Sequence, residues 1–215
     1  MKTFVSVVAL LVSAGLAQAA VISTTQPNQD FKGQITPGYE VVGGGFGQRA
    51  DVVLDISGRQ TFDPLGDSSN TVVLFDFAVA LGSPSGTPVS FNGVGWNTIQ
   101  EALGASWLSE MRIAFGPSSG PVAVTLRTGS PNTPGTGSFS SPVIDFSSVP
   151  LPNVSLPDGI LRIEFYDSFD DVPDAVDGVY LAGSSLTLRG EVVPAPAGAA
   201  LLGLGSLLAA RRRRA

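Results

Sequence analysis

The stretch Ile160–Tyr166 reads Ile-Leu-Arg-Ile-Glu-Phe-Tyr, and its periodicity decides the fold class. Leu161, Ile163 and Phe165 fall on one side, while Arg162, Glu164 and Tyr166 fall on the other. A period of two describes a strand with one face on a core and the other toward water. On this pattern Glu164 is a solvated or salt-bridged face residue. The same alternation recurs outward in both directions. Leu186 and Leu188 alternate with Thr187 and Arg189, and Val73, Phe75, Phe77 and Val79 oppose Leu74, Asp76 and Ala78.

Further apolar runs fit the same reading. They are Asp51–Ile56, Thr71–Leu81, Val89–Trp96, Met111–Phe115, Val122–Leu126, Pro142–Phe146, Gly178–Gly183 and Ser185–Val192. All are rich in Val, Ile, Phe and Thr, and Gly, Pro, Ser, Asn and Asp clusters bound them. Ser83–Pro88, Gly116–Pro121 and Thr128–Ser138 combine proline and glycine as turns and loops do. Asn97–Gly104 has a capping-box pattern, with Asn97 and Gln100, that suits a short helix. Val94, Trp96 and Thr98 nevertheless continue an alternation there, and the strand reading is preferred. Many short strands with almost no helical periodicity predict an all-β single domain, a β-sandwich or jelly roll.

Cysteine and histidine are both absent. Without disulfides the fold depends on its core alone. Without histidine there is no Ser-His-Asp or Cys-His catalysis and no histidine-ligated zinc. Five of the 12 Lys and Arg lie in the terminal segments, so residues 20–191 carry seven against 18 acids, a net charge of −11. Such a body repels nucleic acid and attracts divalent cations.

The two ends carry targeting patterns. Lys2, the apolar run Phe4–Leu16 and Ala17-Gln18-Ala19 occur in the order of a secretory signal peptide, which assigns residues 1–19 to a leader and 20–191 to the body. The remainder, 192–215, reads VVPAPAGAALLGLGSLLAARRRRA. Its apolar stretch Ala197–Ala210 would be about 21 Å long as a helix, against roughly 30 Å of bilayer hydrocarbon. Arg211, Arg212, Arg213 and Arg214 would stay cytoplasmic. Pro194 and Pro196 break the helix on its other side.

Val193-Pro194-Ala195-Pro196, the glycine-dotted apolar run and the arginine cluster together resemble the PEP-CTERM sorting domain of Gram-negative bacteria. Ala195 stands where that family usually has glutamate. The resemblance implies export, cleavage by signal peptidase, transient residence in the inner membrane, and processing by an exosortase-type enzyme. The destination would be the cell surface or an extracellular, exopolysaccharide-rich matrix. The resemblance covers the tail alone and leaves the body's chemistry open.

In the body the densest chemical signal is YDSFDDVPDAVDG, Tyr166–Gly178. Asp167, Asp170, Asp171, Asp174 and Asp177 are hard oxygen donors on a loop between two strands. They suit calcium, which takes about 6–8 oxygens in irregular geometry. The competing reading is a solvated acidic loop. Thr61–Asp67 (TFDPLGD) weakly echoes Ser168–Asp174 (SFDDVPD), too short a match for a duplication but consistent with two acidic loops of one type. Phe75–Thr87 (FDFAVALGSPSGT) and the later strand-loop-strand from Leu161 to Leu188 also look like the jelly-roll P-domain of proprotein convertases. That likeness implies a jelly roll with cation sites in acidic loops.

Trp96, Trp107, Tyr166 and Tyr180 are candidate glycan contacts, with core packing as the alternative role for each. Paired carboxylates could in principle serve a glycosidase, but no motif selects a pair among Glu101, Glu110, Glu164 and the aspartates. The expected role is therefore non-enzymatic, structural or adhesive in an exopolysaccharide matrix. The alternative is a calcium-dependent carbohydrate-binding module.

Overall fold

The computed structural model describes residues 21–24, 39–42, 49–171 and 175–194. Two antiparallel sheets stack as a sandwich. The larger contains β1 (Val21–Thr24), β2 (Tyr39–Val42), β3 (Ala50–Asp55), β4 (Gln60–Thr61), β6 (Val89–Ala102), β9 (Gly135–Asp145), β10 (Val154–Leu156), β12 (Gly178–Tyr180) and β13 (Ser185–Val192). The smaller contains β5 (Thr71–Asp76), β7 (Met111–Pro117), β8 (Val124–Arg127) and β11 (Ile160–Asp167), in the spatial order β5-β11-β7-β8.

Strand β6 is the spine of the larger sheet. β13 and then β12 pair along one side of it, and β10 and then β9 pair along the other. It runs through Asn97–Ala102, where the capping-box pattern also suited a helix. The alternation wins because Thr98, Gln100 and Ala102 are buried on the inner face. Gln100 is satisfied there, donating to the Leu108 carbonyl at 2.7 Å and accepting from the Thr128 hydroxyl at 2.6 Å.

The alternating sets meet between the sheets. Val52, Leu54, Phe91, Leu186 and Leu188 from one sheet pack with Val73, Phe75, Ile113, Phe115, Leu161, Ile163 and Phe165 from the other. Phe91 lies 5.0 Å from Phe146 in an edge-to-face contact and 5.5 Å from Phe115 across the sandwich. Such aromatic pairs add about 0.5–1.5 kcal/mol each beyond the area they bury. On the outer face Arg189 grips Asp51 with two hydrogen bonds, 2.7 and 2.8 Å, and reaches Asp145 at 3.1 Å. That fork ties β13 to β3 and β9.

Two expectations are corrected. The run Thr71–Leu81 is not one strand: β5 stops at Asp76, and α1 (Phe77–Ala80) follows as a single helical turn. The Asp76 carboxylate accepts from the Val79 N–H at 3.0 Å, and the Gly159 carbonyl accepts from Phe77 and Ala78. These bonds replace the strand ladder, so Phe77, Ala78 and Ala80 are buried while Val79 is exposed. The other correction concerns Thr128–Ser138. Its last four residues belong to β9, because the β6 backbone pairs with a Gly/Thr/Ser segment as readily as with an apolar one.

Register brings five chain ends to one end of the sandwich. Asp167 at the end of β11 pairs with Met111 at the start of β7. Gly178 at the start of β12 pairs with Ala102 and with Thr61, the last residues of β6 and β4. The loops after β4, β6 and β11 therefore converge.

Candidate metal centre

Asp167 closes β11 and is fully buried. Its backbone N–H donates to the Asp63 carbonyl at 3.2 Å, and its Oδ1 accepts from the Phe169 N–H at 3.2 Å. Its Oδ2 is buried without a hydrogen-bond partner. Burial pushes its carboxyl up to about 7. The Phe169 N–H opposes that rise, and the charges of Asp177, Glu110 and Asp171 add to it.

Asp177 is likewise buried, at the approach to β12. Its N–H donates to the Thr61 carbonyl at 2.9 Å and its carbonyl accepts from Leu103 at 2.8 Å. Its Oδ2 also lacks a hydrogen-bond partner. Burial again dominates and pushes the carboxyl up to about 6. The Ser106 hydroxyl works against it, and Asp171, Asp170 and Asp63 reinforce it. The two buried carboxyls thus feel each other and the same acidic neighbours.

Three loops supply the surroundings. From 103–110 come Ser106, whose hydroxyl donates to Asp171 Oδ2 at 2.9 Å, and Glu110, whose Oε2 accepts from the Trp107 N–H at 2.7 Å. The Glu110 carbonyl accepts from the Ser168 N–H at 3.0 Å, which links that loop to the acidic one. From the loop after β4 comes buried Asp63, which accepts from the Ser69 hydroxyl. Asp170 and Asp171 are half-buried, and Asp174 lies outside the described residues.

The sequence reading placed the site on one loop and missed Asp63, Ser106 and Glu110. The echo between Thr61–Asp67 and Ser168–Asp174 was the available signal for Asp63, whose carbonyl accepts from the Asp167 N–H, and no sequence pattern marked Ser106 or Glu110. Among the described residues no three acidic side chains already converge as a ready-made metal cage. The arrangement has carboxylates at close quarters, two orphaned buried oxygens, and neighbouring hydroxyl and carbonyl oxygens. That donor set is all oxygen and fits a hard divalent cation such as calcium.

Glu164 is salt-bridged, as its position on an alternating strand allowed, but it is not solvated. It accepts from the Gly66 N–H at 2.6 Å and from Asn70 Nδ2 at 3.0 Å, and it pairs with Arg162. The outer face of β11 is buried because the loop after β4 folds over it. Glu164 is the clasp that holds this loop, with its Asp63, in place.

The four aromatic candidates separate. Tyr180 is fully buried, in edge-to-face contact with Phe165 at 5.6 Å, and Tyr166 is 8% exposed. Trp96 packs against the core. Tyr166 and Tyr180 are therefore buried, whereas Trp96 is half-buried against the core. Trp107 is 41% exposed.

At the C-terminal side, β13 ends at Val192, which is buried and pairs with Val89. The Val193 N–H still bonds the Pro88 carbonyl at 2.9 Å. Ala195, Pro196 and Arg211–Arg214 lie outside the described residues, as does the segment 1–19. Among the described residues no helix is long and apolar enough to cross a membrane.

No family model and no curated protein matches this chain. Among solved structures it is similar to the infectious bursal disease virus VP2 subviral particle at 13% identity and TM-score 0.24, covering 89% of this chain and 54% of that one. It is similar to the Gt strain of the same virus at 14% identity and TM-score 0.25, covering 95% and 56%. The chain thus spans about half the length of those viral chains. At this overlap the likenesses bear on neither function nor partner.

Proposed function

We propose that this chain is an exported, non-enzymatic protein of the cell surface or extracellular matrix. Its jelly-roll body is locked by calcium at the loop end. It is sorted by signal peptidase and an exosortase-type enzyme through a PEP-CTERM-like tail, and its role is structural or adhesive within an exopolysaccharide matrix. The observation that carries the calcium reading is the pair of buried carboxylates, Asp167 and Asp177, each with an orphaned Oδ2. Burying negative charge beside negative charge is costly unless a cation or a proton neutralises it.

A cation at this point would join three loops that otherwise repel one another, which is the use a surface protein without disulfides has for extracellular calcium. For a site of about millimolar affinity, 10 mM calcium adds about 1.4 kcal/mol. That corresponds to a rise of about 3–6 °C in Tm for a domain of this size. Thermal unfolding of the full chain in calcium and in EGTA tests it. The expected result is a rise of that order with calcium and not with equal ionic strength of sodium. An unchanged Tm overturns the reading.

A further inference from the structure

Strand β9 lies at a margin of the larger sheet. It pairs with β6, and among the described residues no other strand and no other backbone group bonds to it. Alternate residues of an antiparallel strand point their N–H and C=O away from the neighbour, so β9 carries a row of such groups along its second edge.

From Gly135 to Ser141 the register with Ala102–Trp96 is unbroken, a regular edge about 24 Å long. The irregularity at Pro142–Val143 ends it. Sheet proteins guard such edges with lysine, with inward-pointing charge, with proline or by keeping the strand short. The other marginal strands follow that rule: β4 has two residues, β8 has four and carries Arg127, and β5 ends on Asp76. Gly135–Ser141 reads Gly-Thr-Gly-Ser-Phe-Ser-Ser and has no guard within it.

Charge selects the partner. Residues 20–191 carry seven basic against 18 acidic side chains, a net charge of −11, so two copies of the body repel each other over most of their surface. Residues 128–144 contain no charged side chain, and like-charged copies approach there against the least repulsion. A partner of opposite charge finds nothing to pair with on this edge. Thr136, Ser138 and Ser140 are exposed, and Phe139 packs on the core while half-buried, so part of its ring is left for a neighbouring strand to cover.

We propose that Gly135–Ser141 is the contact between two copies of this chain, whose β9 strands pair antiparallel about a two-fold axis at Ser138. Such an axis sets each Ser138 against its counterpart, and Phe139 of each copy beside Gly137 of the other. The contact is isologous and closes with two copies, joining the larger sheets of both into one. A structural protein of a matrix gains from it a cross-link that needs neither cysteine nor cation.

The test is sedimentation of the full chain in EGTA, which keeps calcium out of the result. The mass should approach twice that of the monomer as the concentration rises to about 1 mM, the range in which a small interface fills. Ser138→Lys with Ser140→Lys should weaken the association about 3–10-fold, and so should Ser138→Glu with Ser140→Glu. An equimolar mixture of the two double variants should associate again, and an unchanged Tm shows that each is folded. The chain has no cysteine of its own, so Ser138→Cys with oxidised glutathione adds a second readout. Residues directly opposite in an antiparallel pair are close enough for a disulfide, and Ser138→Cys should give a covalent dimer much faster than Ser68→Cys on the loop after β4.

A chain that stays monomeric up to about 1 mM overturns the proposal. So does association that persists unweakened in both charged double variants, which would place the contact elsewhere, the apolar tail included. Failure of the mixture to associate, or equal cross-linking at Ser138→Cys and Ser68→Cys, overturns the two-fold pairing. None of these outcomes touches the calcium reading, which stands or falls on Tm.

Discussion

The backbone N–H of Asp167 donates to the carbonyl of Asp63 at 3.2 Å, which joins the end of β11 to the loop after β4. This one bond places acidic residues from two loops, far apart in the chain, at the same end of the sandwich. The consequences of that crowding are measurable.

Asp177→Asn removes a buried charge while keeping the shape of the side chain. In EGTA the variant should melt above the parent by about 2–4 °C, the shift that about 1 kcal/mol produces in a domain of this size. Its Tm should no longer respond to calcium. A variant that melts below the parent in EGTA would mean that the charge is compensated in the folded state.

The pH dependence has a definite sign. The carboxyls of Asp167 and Asp177 are held up at about 7 and about 6 from an ordinary 3.8, so the folded chain binds more protons than the unfolded one between those values. Their contribution to stability is fully present below pH 3.8 and is lost as pH rises through about 6 and then 7. Chelated protein should therefore lose stability between pH 5 and pH 8 as measured by urea unfolding, within the assay range fixed by those shifts. A chelated protein more stable at the upper end than at the lower end contradicts these carboxyls as the controlling groups.

Glu164→Ala should be among the costly single changes. It strips the Gly66 N–H, Asn70 and Arg162 of a shared buried acceptor. The loss should be about 3–5 kcal/mol, the cost of breaking a buried charged pair. Proteolysis should then cut first within residues 62–70, since the clasp on that loop is gone. Unchanged denaturant midpoints would show that the loop is held by other contacts.

Gly159 occupies a left-handed turn at φ 71°, and a Cβ there would sit 2.5 Å from the Thr87 carbonyl oxygen and 2.6 Å from Ala78 Cβ. The same residue's carbonyl caps α1. Gly159→Ala should lower stability by about 1–3 kcal/mol, read as a lower urea midpoint at constant m-value. A neutral substitution would mean that the Thr87 turn yields freely.

Mass spectrometry of the C-terminal peptide on the native cell surface tests the sorting proposal. The last strand ends at Val192, and the Val193 N–H makes the final bond to the body. Cleavage near Pro194–Pro196 would leave the sandwich whole, and a terminus there is the expected outcome. An intact peptide ending in Arg211–Arg214 would show a retained anchor instead.

Much of the strand pattern was legible because alternation is local. Leu161, Ile163 and Phe165 need only their own sequence to declare a buried face, and Leu186 and Leu188 do the same in β13. β4, β10 and the first half of β9 were not legible. They are short or rich in Gly, Ser and Thr, and they become strands through pairing with a partner backbone rather than through side-chain burial. α1 was hidden for a related reason: the Asp76 cap and the Gly159 carbonyl outweigh the alternation that Phe77 and Val79 continue.

The aspartates of the acidic loop could be read directly, but their depth could not. Glu164 looks solvent-facing in an isolated strand and is buried because the loop 62–70 folds over its face of β11, whereas Asp167 continues the inward face of Leu161, Ile163 and Phe165 and pairs with buried Met111. Sequence alone determined the all-β class, the absence of histidine and cysteine chemistry, the acidic charge, and where the carboxylates are dense. Tertiary structure alone decided which carboxylates lose water, that Asp63, Ser106 and Glu110 join them, and that Trp107 keeps an exposed ring while Tyr166 and Tyr180 are buried and Trp96 packs half-buried against the core. The division follows from range: periodicity acts between neighbours along the chain, whereas burial and charge crowding depend on segments that meet only when the sheets pack.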